Sequence, residues 1–169
     1  MPEDSIKKLS ETFEEELRDR MLEADEAFER GEYGKASILY AYILEDYPNN
    51  MSALLRQGVC FRVQGHPREA IEYFKRILAI KEDLLDVWNN LGNCYSDLGD
   101  RAKTQKQDAD AERYYKDALR CYDRALKIYP NYWRATQNKG EILSKLGKTT
   151  SGAKLRRKAM ILRKKYPEE

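Results

Sequence analysis

The residues of this chain that could do chemistry are mostly amides and cations. Three asparagines, Asn89, Asn90 and Asn93, lie within five positions of the sequence. Because an asparagine amide both donates and accepts hydrogen bonds, this cluster suits the recognition of a peptide backbone. The only histidine, His66, falls in a predicted turn. One histidine cannot build a histidine-based metal cluster or a Ser-His-Asp triad, so we expect no metal site, no cofactor and no enzyme activity.

A short segment is similar to the end of a phosphate-binding loop and reads Gly147-Lys148-Thr149-Thr150. The motif requires a glycine five residues earlier, where this chain has Ile142, and it requires a preceding strand, where this chain has a helical pattern. We therefore interpret the segment as a turn between two helices.

The second group of residues that could do chemistry is a run of Lys and Arg side chains near residue 160. Leu155, Ala159, Leu162 and Tyr166 recur at spacings of 4, 3 and 4, which predicts an amphipathic helix with a cationic polar face. Such a helix either ends the fold as a solubilising element or binds nucleic acid, an anionic membrane surface or an acidic protein. The cations of this basic patch are Lys154, Arg156, Arg157, Lys158, Arg163, Lys164 and Lys165.

The helices that must position these side chains are predicted from a spacing of 34 residues that recurs along the sequence. Gly31, Gly65 and Gly99 are 34 apart, whereas Ala70 and its next equivalent, Ala118, are 48 apart. A period in this range indicates an array of helical repeats, whose function usually lies in a shared binding surface. All five prolines fall at predicted helix boundaries or near the ends of the sequence, which favours a purely helical fold.

The residues at these positions resemble the tetratricopeptide repeat consensus. The third unit reads Trp88-x2-Leu91-Gly92-x2-Tyr95 and, after 14 extra residues, continues as Ala118-x3-Tyr122-x2-Ala125-Leu126-x3-Pro130. The resemblance implies an all-α fold, a right-handed α-solenoid of antiparallel helix pairs with three clear repeats and a divergent fourth. It also implies a non-enzymatic protein–protein interaction module or adaptor.

The expected organisation is a single domain over residues 1–169. Residues 1–16 would form an N-terminal helical extension, whose apolar stripe includes Ile6, Leu9 and Phe13. The expected repeats cover 17–50, 51–84, 85–132 and 133–169, the last including the basic capping helix.

The 14 extra residues of the third repeat lie near positions 100–113 and contain no glycine or proline. Fourteen residues make about four helical turns, so adding about seven to each of two helices would return the chain to the phase of the repeat. We expect a solvated helical arm rather than a flexible loop. Thr104 and Gln107 have the spacing of a capping box for its second helix.

In the tetratricopeptide family the first helix of each pair lines a concave groove that holds extended peptides or helices. Asn90 and Asn138 occupy equivalent positions in this chain and resemble the asparagine ladder of peptide-binding members. The resemblance assigns the following exposed inner positions to a partner-binding groove: Arg56, Val59, Arg62, Val63, Asn89, Asn90, Asn93, Asp97, Arg134, Gln137, Asn138 and Glu141.

One subtype of the family is disfavoured by the residues present. Members that clamp the C-terminal carboxylate of heat-shock chaperones need a lysine and an asparagine, four residues apart, on the first helix of their first unit. Met21 and Asp25 occupy those positions here, and Leu55 and Val59 occupy them in the second unit. An acidic side chain would therefore face the carboxylate.

Charge is divided unevenly along the chain. Residues 1–100 carry 12 Lys and Arg against 21 Asp and Glu, whereas residues 101–169 carry 19 against 8. This asymmetry suggests head-to-tail self-association or anionic partners for the basic end, as alternatives to the adaptor role. The length and repeat number are also similar to those of bacterial secretion chaperones of the tetratricopeptide type.

The remaining composition favours a cytoplasmic protein. The first residues lack the apolar segment of a secretion signal, and no stretch approaches the roughly 18 apolar residues that span a membrane. The three cysteines, Cys60, Cys94 and Cys121, have no CxxC spacing and are odd in number. We expect them to pack in the interior rather than to form disulfides.

Overall fold

The protein is all-helical over the residues that its structure, a computed structural model, describes, which are 3–167, with side chains from residue 14 onward. The predicted apolar stripe at Ile6, Leu9 and Phe13 lies outside the described side chains. The helices are α1 (Glu3–Glu29), α2 (Tyr33–Asp46), α3 (Met51–Val63), α4 (Pro67–Ile80), α5 (Leu85–Thr104), α6 (Asp108–Ile128), α7 (Trp133–Lys145) and α8 (Thr149–Lys165).

Four of the connections between these helices use the same tight turn. In each, a residue with positive φ follows the helix, and the next backbone N–H donates to a carbonyl five residues earlier, as from Glu32 to Ala27. This is the Schellman motif, which glycine accommodates most easily because it has no Cβ. The positive-φ residues are Gly31, Gly65, Lys106 and Gly147.

The third of these turns is displaced along the chain. Gly99 has the sequence position of Gly31 and Gly65, but it lies inside α5, and a Cβ on it would fall 2.5 Å from a ring carbon of Tyr115. The turn residue is instead Lys106, with φ 60°. The arm therefore keeps the turn geometry of the other hairpins while α5 continues past Gly99.

The two helices of the arm are longer than their equivalents by the same amount. α5 has 20 residues against 13 in α3, and α6 has 21 against 14 in α4. The predicted capping box at the arm is wrong, because Thr104 is the last residue of α5 and its hydroxyl donates to the Asp100 carbonyl. Gln107 is the N-cap of α6 and makes no capping bond through its side chain.

The helices group into two compact units, Met1–His66 and Pro67–Glu169. In unit 1, α1, α2 and α3 enclose a core of small side chains around Tyr40, which is fully buried. Burial and a hydrogen bond to Asp25 raise the pKa of the Tyr40 hydroxyl. The core residues of unit 1 are Ala24, Ala27, Ala36, Tyr40, Ile43, Ala53 and Cys60. That all four repeats form one domain stays a prediction.

Unit 2 contains α4 to α8, and its core lies between α5, α6 and α7. Gly92 admits the ring of Tyr122, since a Cβ on Gly92 would fall 2.5 Å from a carbon of that ring. The backbones of α7 and α8 also approach closely, because a Cβ on Gly152 would lie 2.5 Å from the carbonyl oxygen of Gly140. Small residues thus set the helix spacing at the positions where the repeat consensus has glycine or alanine.

Candidate functional site

A network of amides connects α5 and α7 in unit 2. The Asn138 Nδ2 amide donates to Asn89 Oδ1 at 3.0 Å and to Asn93 Oδ1 at 2.9 Å. Asn93 Oδ1 also accepts a hydrogen bond from the Tyr122 hydroxyl of α6 at 2.9 Å. Three helices are therefore held together by polar groups that would be costly to bury unpaired.

The network fixes the orientation of two of its amides. Because Asn93 Oδ1 accepts two hydrogen bonds, the Asn93 Nδ2 group is left with its donors directed away from the network. Conversely, Asn138 uses Nδ2 within the network and keeps its Oδ1 acceptor for other partners. Both residues are half-buried, as is the neighbouring Asn90. The Asn93 donors and the Asn138 acceptor thus remain available, and the C=O and N–H of one residue in an extended peptide chain could satisfy them.

Asn89 corrects the sequence interpretation of this face. The repeat spacing predicts an exposed inner position for it, but only 6% of it is exposed, and its oxygen faces Asn138. The equivalence of Asn90 with Asn138 follows from the repeat spacing, whereas the pairing of Asn89 with Asn138 depends on how α5 and α7 approach each other. The other predicted positions of unit 2 are at least partly accessible, with Asn90, Asn93, Asp97, Gln137 and Asn138 half-buried and Arg134 and Glu141 exposed.

The predicted groove residues of unit 1 lie on α3. Arg56 is engaged with α1, since its guanidinium contacts Asp25 at 3.5 Å and Glu29 at 3.3 Å and lies 4.5 Å from the Phe28 ring centroid. Val59 and Arg62 are half-buried, and Val63 is exposed. The acidic residue at the second clamp position, Asp25, is therefore already paired with a cation and with Tyr40.

On the basic patch, all seven predicted cations of α8 are exposed, and the helix contains no Asp or Glu. Its buried residues, Gly152, Ala159 and Leu162, face α7, which is its only packing partner among the described helices. Three of the cations make local contacts. Arg156 donates to Ser144 Oγ at 2.8 Å, Arg163 lies 5.0 Å from the Trp133 ring centroid, and Lys165 Nζ lies 5.3 Å from the Tyr166 ring centroid. The other four, Lys154, Arg157, Lys158 and Lys164, present an open cationic surface.

Two features of the surface were missed by sequence reasoning. The first is a cavity of about 500 Å³ beside the arm, lined by Arg68, Arg101, Arg113 and Tyr114 among others. The second is an exposed apolar pair on α2, Ile38 and Tyr42, each 58% exposed. The repeat spacing contains a signal for this pair, because the equivalent residues of the next two hairpins are all charged: Glu72, Arg76, Arg120 and Arg124.

Two further classes of site were searched for in the described part of the chain. No group of three or more His, Cys, Asp or Glu side chains there could hold a metal ion. No helix among these residues combines the length and the apolar character that crossing a membrane requires.

Comparison with known proteins finds similarity to tetratricopeptide repeats. A family model described as tetratricopeptide repeat matches residues 49–124. The general transcriptional corepressor trfA of Dictyostelium discoideum is 36% identical over 73 residues, which are 43% of this chain and 5% of that protein. The chain thus spans a small fraction of the length of this curated relative.

Solved structures are similar over a larger part of the chain. A thermophilic TPR protein of Thermus thermophilus has a TM-score of 0.76 at 20% identity, covering 88% of this chain and 75% of that one. The first TPR of Spaghetti (RPAP3), bound to the HSP90 peptide SRMEEVD, has a TM-score of 0.64 at 16% identity, covering 78% and 93%. The chain therefore has the fold of tetratricopeptide repeat proteins, and its residues 49–124 match the tetratricopeptide repeat model.

Proposed function

We propose that unit 2 binds an extended peptide segment of a protein partner along the face that α5 and α7 form. The observation that carries this proposal is the fixed orientation of Asn93 and Asn138, which presents a donor and an acceptor side by side. A peptide main chain offers a carbonyl and an N–H at each residue, so it can satisfy both groups whatever its side chains are.

The amides are also pre-ordered for this task. Side chains that are already held by hydrogen bonds lose little conformational entropy when a ligand binds, and the free energy of binding is correspondingly more favourable. Asn90 lies next to the network on the same helix and adds a third amide. The family-level role is protein–protein interaction, and the similar TPR of Spaghetti holds a peptide, so a peptide ligand is the natural class to test.

The ligand would differ from a chaperone C-terminus that is held by a carboxylate clamp. Asp25 occupies a clamp position in unit 1 and accepts a hydrogen bond from the Tyr40 hydroxyl. Asp25 is an acceptor that already pairs with Arg56 and Tyr40, so it offers no donor that could hold a carboxylate. The α5–α7 face of unit 2 presents amides, which bind a peptide backbone and do not favour a chain terminus. We therefore expect an internal segment of the partner to bind there.

The test uses peptides selected from a phage-displayed library of random 12-residue sequences (roughly the length that spans a few helices) on the full chain. Affinities of a selected peptide are then measured by fluorescence anisotropy. Asn93→Asp keeps the oxygens that accept from Tyr122 and Asn138 but removes the Nδ2 donors. We expect Asn93→Asp and Asn90→Ala each to weaken binding about tenfold, the cost of one unmade hydrogen bond.

The matched control is Asn49→Ala, which changes an exposed asparagine in a turn of unit 1. It should leave the affinity unchanged. Urea unfolding of every variant separates lost binding from lost folding. If selected peptides bind the Asn93→Asp and Asn90→Ala variants as tightly as the original chain, the α5–α7 face is not the binding surface.

A further inference from the structure

α2 carries an apolar surface that the other helices of its own repeat do not cover. Between Lys35 and Glu45 the helix has no charged residue, yet Ile38 and Tyr42 point outward and are each 58% exposed. A helix that is apolar on all sides normally packs against neighbours on all sides. The charged residues at the equivalent positions of α4 and α6 show that the fold does not require apolar side chains there.

This apolar pair borders a groove between α1 and α2. The groove has a volume of about 320 Å³ and is lined by Arg20, Glu23, Leu39, Tyr42, Glu45 and Asp46. Arg20 is neutralised by Glu16 and Asp46, each at 2.6 Å, and Glu23 pairs with Lys35 at 3.6 Å. Because Glu45 adds a further carboxylate, the rim of the groove is acidic.

The groove occupies the face on which a preceding repeat would stack. In the next repeat, Leu54 and Gln57 are equivalent to Arg20 and Glu23, and both are buried, whereas the side chains of Arg20 and Glu23 are 40% and 57% exposed. In a repeat array each unit covers its neighbour in this way, and an uncovered unit keeps an open stacking face. The acidic groove is therefore a stacking surface without its partner among the described residues.

α8 presents the opposite chemistry. Its outward side has Met160 and Ile161, 64% and 67% exposed, among cations such as Arg157 and Lys164, with no carboxylate in the helix. One side of α8 packs on α7, and no other described helix covers the other side. The apolar pair on α8, which is surrounded by positive charge, thus complements the apolar pair on α2, which lies beside an acidic rim.

We propose that α8 of one copy docks in the α1–α2 groove of a second copy. Met160 and Ile161 would pack on Ile38 and Tyr42, while the cations of α8 meet Glu45 and neighbouring carboxylates. The contact is heterologous, because the two surfaces differ, so each copy can bind one partner through its groove and another through α8. Copies then add to one another head to tail, and salt weakens the association.

The test compares the full chain with two variants by analytical ultracentrifugation at low ionic strength. Ile38→Arg with Tyr42→Arg disables the groove. Arginine is compatible with the fold at these positions, because Arg120 is equivalent to Ile38, and Arg76 and Arg124 are equivalent to Tyr42. Met160→Lys with Ile161→Lys disables α8 at two exposed positions. We expect the original chain to show a mass that rises severalfold with concentration, and each variant alone to remain monomeric.

The decisive measurement is an equimolar mixture of the two variants. One retains a working α8 and the other a working groove, so the mixture should form a 1:1 dimer and nothing larger. Ile80→Arg, which alters an exposed isoleucine outside both surfaces, should associate like the original chain. Association should diminish at about 0.5 M salt, where charges are screened within a few ångströms.

Three outcomes would overturn the proposal. The original chain could remain monomeric up to about 0.5 mM at low salt, a concentration that detects contacts of only a few kcal/mol. The mixture of variants could stay monomeric while the original chain associates, which would assign association to another surface. Finally, a monomeric chain whose α8 binds a single-stranded RNA with strong salt dependence would show that this helix serves nucleic acid instead.

Discussion

At the scale of single residues, Lys106 shows how the arm departs from the repeat consensus. It holds the left-handed turn position that glycine holds in the other three helix hairpins of this kind, at Gly31, Gly65 and Gly147. A side chain with a Cβ is strained at positive φ by roughly 1–2 kcal/mol. Glycine remains at position 99, seven residues upstream, where it serves close packing against Tyr115 instead.

Lys106→Gly should therefore stabilise the protein. Relief of the left-handed strain exceeds the extra backbone entropy that glycine loses on folding, so we expect a gain of about 0.5–1 kcal/mol. The free energy of unfolding from urea titration measures it. The reverse change at an equivalent turn, Gly147→Lys, should cost a similar amount. A loss of stability in Lys106→Gly would mean that the lysine side chain contributes more than its backbone strain costs.

The cysteines make a second prediction at this scale. All three are buried, and burial raises the pKa of the Cys60 thiol to about 11 and that of the Cys121 thiol to about 12. At pH 8 the thiolate fraction of Cys60 and Cys121 should fall at least about 100-fold below that of an exposed cysteine, so iodoacetamide should modify these two residues slowly in the native chain. In guanidinium all three should react rapidly; equal rates in both states would contradict the burial.

The raised pKa values of Cys60 and Cys121 also determine how the free energy of unfolding changes with pH. Because both pKa values are higher in the folded state, the neutral thiols contribute their full stability below about pH 9, near the unfolded pKa. That contribution is lost as the pH rises through about 11 and 12. The free energy of unfolding should thus decline from pH 9 upward, and less steeply in a Cys60→Ala variant.

At the scale of elements, the base of the arm is tied to the next helix by Asp100. Its carboxylate accepts from the Tyr115 hydroxyl of α6 and from Lys145 Nζ of α7, each at 2.7 Å. Asp100→Ala removes the bonds to both partners and leaves the hydroxyl of the buried Tyr115 unpaired, which should cost about 1–2 kcal/mol. Urea unfolding measures the loss.

The matched control for Asp100 is Glu112→Ala. Glu112 pairs with Lys116 within α6 at 2.6 Å, but both side chains are more than half exposed. An exposed pair of this kind contributes little to the free energy of unfolding. Equal effects of the two substitutions would mean that the Asp100 contacts do not connect the three helices energetically.

Much of the fold at this scale follows from the sequence, because repeat spacing and proline positions report local helix geometry. The phase of the insertion could be read from the return of Ala118, Tyr122 and their neighbours. The turn itself could not be located, because Gly99 carries two possible roles, turn and close packing, and spacing does not distinguish them. Nor could the burial of Asn89 be foreseen, because it depends on how α5 and α7 face each other.

At the scale of the whole molecule, each compact unit has a core of its own. The cluster around Tyr40 draws only on residues of Met1–His66, and the cluster around Tyr122 draws only on residues of Pro67–Glu169. In a repeat protein, stability is approximately the sum of such local contributions. The second unit should therefore fold without the first.

A fragment of residues 67–169 provides the test. We expect a helical far-UV circular dichroism spectrum and a cooperative urea transition, because the α5–α6–α7 core is complete within it. Binding of a selected peptide to this fragment would also be retained if the amide face is the site. A broad, non-cooperative transition would show that unit 2 depends on unit 1 for its stability.

The candidate surfaces of the whole molecule were only partly predictable. Charge division and the basic helix are properties of composition, so the sequence alone reveals them. Whether an amide is free or paired depends on distances across helices that are 45 residues or more apart, as between Asn93 and Asn138. For the apolar pair on α2, the residue types at equivalent positions are visible in the sequence, but only the structure shows that Ile38 and Tyr42 are exposed.

The equal lengthening of α5 and α6 has a practical consequence for engineering. Seven additional residues in each helix leave the turn and the following repeat in phase. We therefore expect the segment Gln105–Gln107 to accept insertions without a change in the packing of the helices. Exposed helix-hairpin tips are where inserted domains are tolerated best. We expect a fluorescent protein inserted at this segment to leave the packing of α5, α6 and α7 unchanged.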